Sequence, residues 1–253
     1  MEGFLLVHKP AGVTSRHCVN HIFNVIKSST GNKAKIGHAG TLDLFASGLL
    51  IIGISRTATR EIDRIMTLNK TYHARARLGE LTDTLDCTGT VLAVENTICQ
   101  DMLMPLAAAA ADFDAEYLQM PPLYSALKYQ GNRLSDLARS NYLSPEELHH
   151  ILRNKRRMVE IHHLAIDACK APFFTVRAHV SHGTYIRSLV DDIAQRIHMR
   201  ATTHELVRKS IGPFSLDKAV ALLDIVGIQD IEKNIVSVET MLQRIEQYQK
   251  REK

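Results

Sequence analysis

The chain has 253 residues, 45% of them hydrophobic and 6% aromatic, and a formal net charge of +4. That length holds one large domain, or one domain with a small appendage, at the composition of an ordinary folded protein. No stretch reaches the roughly 18 apolar residues of a membrane span, and Phe4-Leu5-Leu6-Val7 is too short for a signal peptide, so a cytoplasmic protein with no membrane partner is expected.

Residues 3–8 read as a short strand, and Thr14 or Ser15 as the cap of a helix with Val19, Ile22, Phe23 and Ile26 on its apolar face. Next comes Lys35-Ile36-Gly37-His38-Ala39-Gly40-Thr41-Leu42-Asp43, followed by an apolar run at 49–54 that reads as a buried central strand. A helix is expected at 57–68, a strand at 70–79, a strand at 89–96 and a helix at 99–111. Residues 123–128 read as a strand before the turn Gln130-Gly131-Asn132, and short helices follow at 134–140 and 145–152. Two strands near 158–169 and 173–181 precede a helix from Gly183-Thr184 to about residue 197. Residues 217–253 are expected to be helical and peripheral, ending in a frayed charged tail. Strands and helices mix without regular βαβ repetition, so the class is α+β, with a mixed and mainly antiparallel sheet flanked by helices.

Asp43 is the only acid between Glu2 and Glu61. Neighbouring cations keep such a carboxylate ionised, which suits a nucleophile or base better than an acid. An aspartate in a Gly/Thr turn equally suits a turn former bonded to nearby backbone N–H groups, and residue types alone leave both readings open. The charges are unevenly spread. Residues 1–80 carry a net +6, residues 81–126 a net −7 with no Lys or Arg, residues 127–212 a net +6, and the remainder −1. Two basic segments around an acidic one are the footprint expected for a polyanion ligand, and Arg153-Asn154-Lys155-Arg156-Arg157 is a candidate for phosphate contacts. Cys18, Cys87, Cys99 and Cys169 form no C-x-x-C pair, and adjacent histidines on a strand face opposite ways, so no metal site is expected.

The segment from Gly37 to Leu50 resembles the catalytic G-H-x-G-T-L-D-P-x-A-x-G-x-L motif of the TruB family of tRNA pseudouridine synthases, with Leu44 where the family usually has proline. Further blocks follow in family order: Lys9-Pro10 through Thr14-Ser15, Lys70-Thr71-Tyr72, Pro121 to Lys128, Gly183-Thr184-Tyr185-Ile186-Arg187, and Leu206-Val207-Arg208 with Gly212 and Phe214. The resemblance implies a pseudouridine synthase fold over residues 1–215 with a short helical extension at 216–253. That extension is too short for the RNA-binding PUA domain of many bacterial members.

It also implies isomerisation of the T-loop uridine of tRNA, conventionally position 55, without cofactor or metal, by a monomer whose partner is the tRNA T-arm. The reaction breaks the C1′–N1 bond, turns the uracil and rejoins it through C5, which requires a base flipped into a pocket. By resemblance Asp43 is the catalytic carboxylate and Arg187 the arginine paired with it. Tyr72 stacks on the flipped uracil, and His38 wedges into the RNA loop beside the vacated base position. Tyr185 and Leu206 contact substrate, and Lys9 is grouped with them as a support for the loop. Two other readings compete. A non-catalytic tRNA-binding protein or folding chaperone could use the same pocket. An aspartyl-phosphate hydrolase would need a second acid two residues after Asp43, where Phe45 stands. The segment from Asn141 to Leu152 looks longer than the family's usual link and reads as a surface insertion whose helix is capped by Ser144 with Pro145 at its first turn.

Overall fold

The strand Gly3–Lys9 pairs antiparallel with Ser47–Ile54, in register from Gly3 opposite Ile54 to Lys9 opposite Gly48. The computed structural model describes all residues except 96, 100, 114, 141, 142 and 253, and this pair is the middle of the first of its two units, Met1–Tyr72 with Leu206–Lys253. Leu49, Leu50, Ile51, Ile52 and Ile54 are fully buried because both faces of the strand are covered. Leu49 and Ile51 join Phe4, Leu6 and Phe214 on one side, while Leu50, Ile52 and Ile54 join Leu5, Val7, Cys18 and Ile22 on the other. An unbroken apolar run is what a strand between two layers requires.

The second layer is the helix Ser15–Thr30. Thr14 caps it, its Oγ1 accepting from His17 N at 3.0 Å, and Gly31 closes it at φ 70°. Phe23 is only half-buried, because Cys18 takes its expected place on the inner face. The expected helix at 57–68 is two short helices, Arg56–Arg60 and Ile62–Met66, with Glu61 between them.

Residues 217–253 are not peripheral. Val220–Ala221 runs parallel to Gly3–Lys9, and Ile235–Val236 runs antiparallel to its start. The helix Val238–Arg251 presents Met241 and Ile245, four apart on one face, and both are fully buried beside Leu49 and Ile51. A polar-looking helix thus hides a narrow apolar stripe. Met241→Ala is expected to cost about 2–5 kcal/mol through the cavity it leaves, read as a lower urea midpoint with an unchanged m-value; a cost below about 0.5 kcal/mol would return this helix to the surface.

The second unit is His73–Glu205. Its sheet runs from residues 73–78 to Phe173–Val180, Arg157–Lys170 and Glu116–Gln119. The last two pairings are antiparallel, with Ile161 opposite Val180 and Arg157 opposite Gln119. The helices Leu103–Ala111 and Ile186–Arg196 bury Leu106, Ala109 and Ala110, and Leu189, Val190 and Ile193, respectively. The predicted strand at 123–128 shrinks to Lys128–Tyr129, paired with Asn132–Arg133 across a turn with positive φ at both Gln130 and Gly131. The strand expected at 89–96 is shorter, Val91–Val94, with residues 89, 90 and 95 outside it and residue 96 outside the described residues. The helix expected at 99–111 begins at Leu103, and its residue 100 lies outside them too. So do Asn141 and Tyr142, the start of the expected insertion, and Lys253 at the charged tail. Beyond Tyr142, Pro145–Asn154 is a helix with a full Ser144–Glu147 capping box. Its Leu148, Ile151 and Leu152 form a small core with Leu134, so the insertion is a packed substructure. The class is α+β with a mainly antiparallel sheet, and among the described residues no helix is long and apolar enough to cross a membrane.

Candidate active site

Asp43 is half-buried on a loop tied down on both sides of it. Leu42 N donates to Ser15 Oγ at 2.9 Å, Ser15 Oγ donates back to Leu42 O at 3.3 Å, and Gly12 N donates to Leu44 O at 2.8 Å. Ala39 N bonds Ile51 O at 2.8 Å, and Ala46 N bonds Asp43 O at 3.2 Å. The Lys9–Ser15 segment is therefore a clamp on the aspartate loop. Ser15, weighed from sequence as a helix cap, is a buried tether instead, and a hydroxyl that both donates and accepts is the residue type that task needs.

Lys9 is fully buried, its Nζ donating to Val13 O at 2.7 Å and Pro10 O at 2.9 Å. Those bonds brace the Pro10–Val13 backbone. Burial pushes its ammonium below the usual lysine range, while Cys18 and Asp43 favour the charge and Arg208 opposes it. Arg208, which sequence reasoning named only as part of a block, is the larger discovery. It is 2% exposed, with Nε donating to Leu49 O at 2.8 Å and an Nη to Gly40 O at 3.0 Å. Gly40 at φ 91° keeps the backbone close to this guanidinium. His38 is half-buried, and burial, then Arg208 and Arg16, lower its pKa, which favours a neutral ring. Its Nδ1 is buried without a hydrogen-bond partner among the described residues. Asp43 lies close enough to Lys9 for each to favour the other's charge.

Lys70 lies in the same unit, buried, with Nζ donating to Met66 O and Leu68 O. Burial, helped by Arg208, pushes it down to about 7. A base whose folded pKa lies below its unfolded value near 10.5 binds fewer protons when folded, so stability rises as pH climbs from 7 towards 10. Urea midpoints measured across that window should climb, and Lys70→Met should flatten the climb; parallel curves would exclude Lys70 as its source.

Tyr72, 9% exposed, and Leu206, 6% exposed, belong to this first unit as well. Tyr185 and Arg187 belong to the second. There, Tyr185 N donates to Gln119 Oε1 at 2.8 Å and Gln119 Nε2 donates to Tyr185 O at 3.0 Å, a two-bond bracket on the backbone of the tyrosine. The Arg157 guanidinium lies 4.7 Å from the centre of the Tyr185 ring. Arg187 is 3% exposed and donates to Asp86 Oδ2 at 3.1 Å, Tyr124 O at 2.9 Å and Thr84 O. Sequence reasoning missed Gln119 and Asp86; a buried glutamine or aspartate carries no spacing signal, because its partners are distant in the chain. No group of three or more His, Cys, Asp or Glu among the described residues is placed to hold a metal ion.

Residues 27–186 match the family model described as TruB family pseudouridylate synthase, N-terminal domain. The chain belongs to the TruB family. It is 36% identical over 245 residues to tRNA pseudouridine synthase B of Thermosipho melanesiensis, covering 96% of this chain and 74% of that protein. The protein of the same name from Clostridium acetobutylicum is 35% identical over 247 residues, covering 98% and 80%. Pseudouridylate synthase TRUB1 of Homo sapiens is 33% identical over 248 residues, covering 93% and 68%. Among solved structures, an H/ACA RNP bound to a substrate RNA containing 2′-deoxyuridine superposes with a TM-score of 0.62 at 22% identity, over 91% of this chain and 54% of that one. A Cbf5-Nop10-Gar1 complex gives 0.64 at 24% identity, over 91% and 55%. These likenesses establish the pseudouridine synthase fold, and the TruB chain spans just over half the length of the proteins in them. The Asp43 loop lies within the family match.

Proposed function

We propose that this TruB-family chain is a tRNA pseudouridine synthase that isomerises the T-loop uridine, conventionally position 55, after flipping it from its stack. The observation that carries the reading is the tethered, half-buried Asp43, beside Lys9 on a loop whose neighbouring backbone groups are bonded to Ser15, Gly12 and Ile51. A carboxylate facing a polyanion repels it, so a binding protein gains nothing from building such a loop. An isomerase needs it, because a preorganised carboxylate can act at the sugar or at C6 of the uracil without reorganising. Tyr72 supplies a flat face for the flipped ring. His38, Tyr185 and Leu206 contact the RNA, and the family resemblance gives Arg187 the role of the arginine paired with the catalytic carboxylate. The enzyme works as a cytoplasmic monomer with no cofactor.

The test is incubation of the wild-type protein with a T-arm transcript, followed by nuclease digestion and chromatographic separation of uridine from pseudouridine, which have the same mass. One pseudouridine per transcript is expected, abolished when cytidine replaces the target uridine. Tight binding with no product would instead mark a non-catalytic tRNA-binding protein.

A further inference from the structure

Within the second unit a cavity of about 390 Å³ opens between the strand Glu116–Gln119, the helix Pro145–Asn154 and the far end of the helix Ile186–Arg196. Its rim carries Arg153, Arg156, Arg196 and His149, and Phe113 and Met120 supply apolar wall. None of the three arginines has an acidic partner within ion-pair distance among the described residues, unlike Arg187 with Asp86 or Arg200 with Asp191. Two of them are nonetheless directed. The Arg196 guanidinium lies 5.0 Å from the centre of the Phe113 ring, and Arg156 Nε donates to Arg153 O at 3.0 Å. The three arginines are exposed and line one hollow, Arg196 coupled to Asp192 and the other two without an acidic neighbour in it, so an anion there gains from all three.

Asp192 also lines the cavity, and its charge would oppose an anion there. Burial and the neighbouring Asp191 raise its pKa to about 7, against the opposing pull of the Tyr117 hydroxyl, which donates to its Oδ2 at 3.4 Å, and of Arg196 and Arg200, so near neutral pH it carries only part of a carboxylate's charge. Arg157 is not part of the set: its guanidinium faces the Tyr185 ring. The basic run at 153–157 is therefore divided, two of its arginines joining Arg196 from a helix more than thirty residues further on.

We propose that this cavity binds a backbone phosphate of the RNA outside the target nucleotide, with the attached ribose lying against Met120. The proposal rests on the reading of the chain as an RNA-modifying enzyme. The shared chemistry is a phosphate ester, so a free mononucleotide could also supply it.

The experiment measures binding of a fluorescent T-arm transcript over a range of salt concentrations for the wild type, for Arg153→Gln/Arg196→Gln, and for Lys218→Gln/Arg244→Gln. The last pair removes equal charge from exposed positions in the other unit. Loss of one phosphate contact should weaken binding about tenfold near 0.1 M salt and lower the slope of log K against log salt by about 1. The control pair should leave the slope within about 0.3 of wild type. An unchanged slope in the cavity variant, with its melting curve intact, overturns the proposal. So does an equal loss in both variants, which would reflect general charge. Uridine monophosphate is titrated separately; binding that vanishes in the cavity variant while the RNA slope stays fixed assigns the cavity to a small nucleotide and also overturns the proposal. A transcript bound through the cavity but never isomerised would sustain this inference while sinking the proposed function.

Discussion

Asp43→Asn is expected to reduce pseudouridine formation on a T-arm transcript by at least about 10⁴-fold, the scale seen when a group that acts directly on the reacting bond is removed. The amide keeps the shape of the carboxylate and the tethers around it, since Leu42 and Leu44 bond through their backbones to Ser15 and Gly12. Melting temperature and RNA affinity should therefore stay close to wild type, and the loss should appear in single-turnover rates at saturating RNA. Affinity is expected to rise slightly, because one negative charge facing phosphate has gone. Equal product from both proteins would remove Asp43 from the mechanism.

The strand, the helix and the loop around this aspartate are legible in the sequence because each has a local cause. The run Leu49–Ile54 has only one way to bury both faces, Thr14 sits one residue before a helix with a periodic apolar face, and Ser144 stands three residues before Glu147. What the sequence hides is long-range. Arg208 meets Gly40 and Leu49 from 168 and 159 residues away, and Gln119 meets Tyr185 from 66 residues away. A charged residue reads as surface until a fold supplies buried carbonyls for it. The helix Val238–Arg251 misleads for the opposite reason: its solvent face dominates the composition, and only the spacing of Met241 and Ile245 betrays that it belongs to the core. Residues 123–128 contain strand-forming types, yet pairing extends only over Lys128–Tyr129, because propensity does not provide a neighbour.

Gly48→Ala is expected to be among the most damaging single-atom additions to this chain. Gly48 has φ 116°, a conformation that side chains resist, and it lies opposite Arg208 in the parallel pairing. A Cβ there would stand 2.4 Å from Arg208 O and 2.5 Å from Arg208 N, both backbone atoms that no rotamer change can move. Relief requires the two strands to part, which draws the Arg208 guanidinium away from Gly40 O and Leu49 O and leaves buried carbonyls unsatisfied beside the Asp43 loop. The summed cost is about 3–5 kcal/mol, a fall in Tm of roughly 10 °C for a chain of this size. Gly40→Ala is the matched comparison. Its φ of 91° carries the same backbone penalty, but the nearest atom to its Cβ is an Arg208 Nη at 3.6 Å, an ordinary contact. That variant should lose only about 1–2 kcal/mol. Denaturation curves of the two side by side separate conformational strain from backbone crowding; equal losses would mean that the approach of Arg208 to Gly48 does not set the geometry of the Asp43 loop.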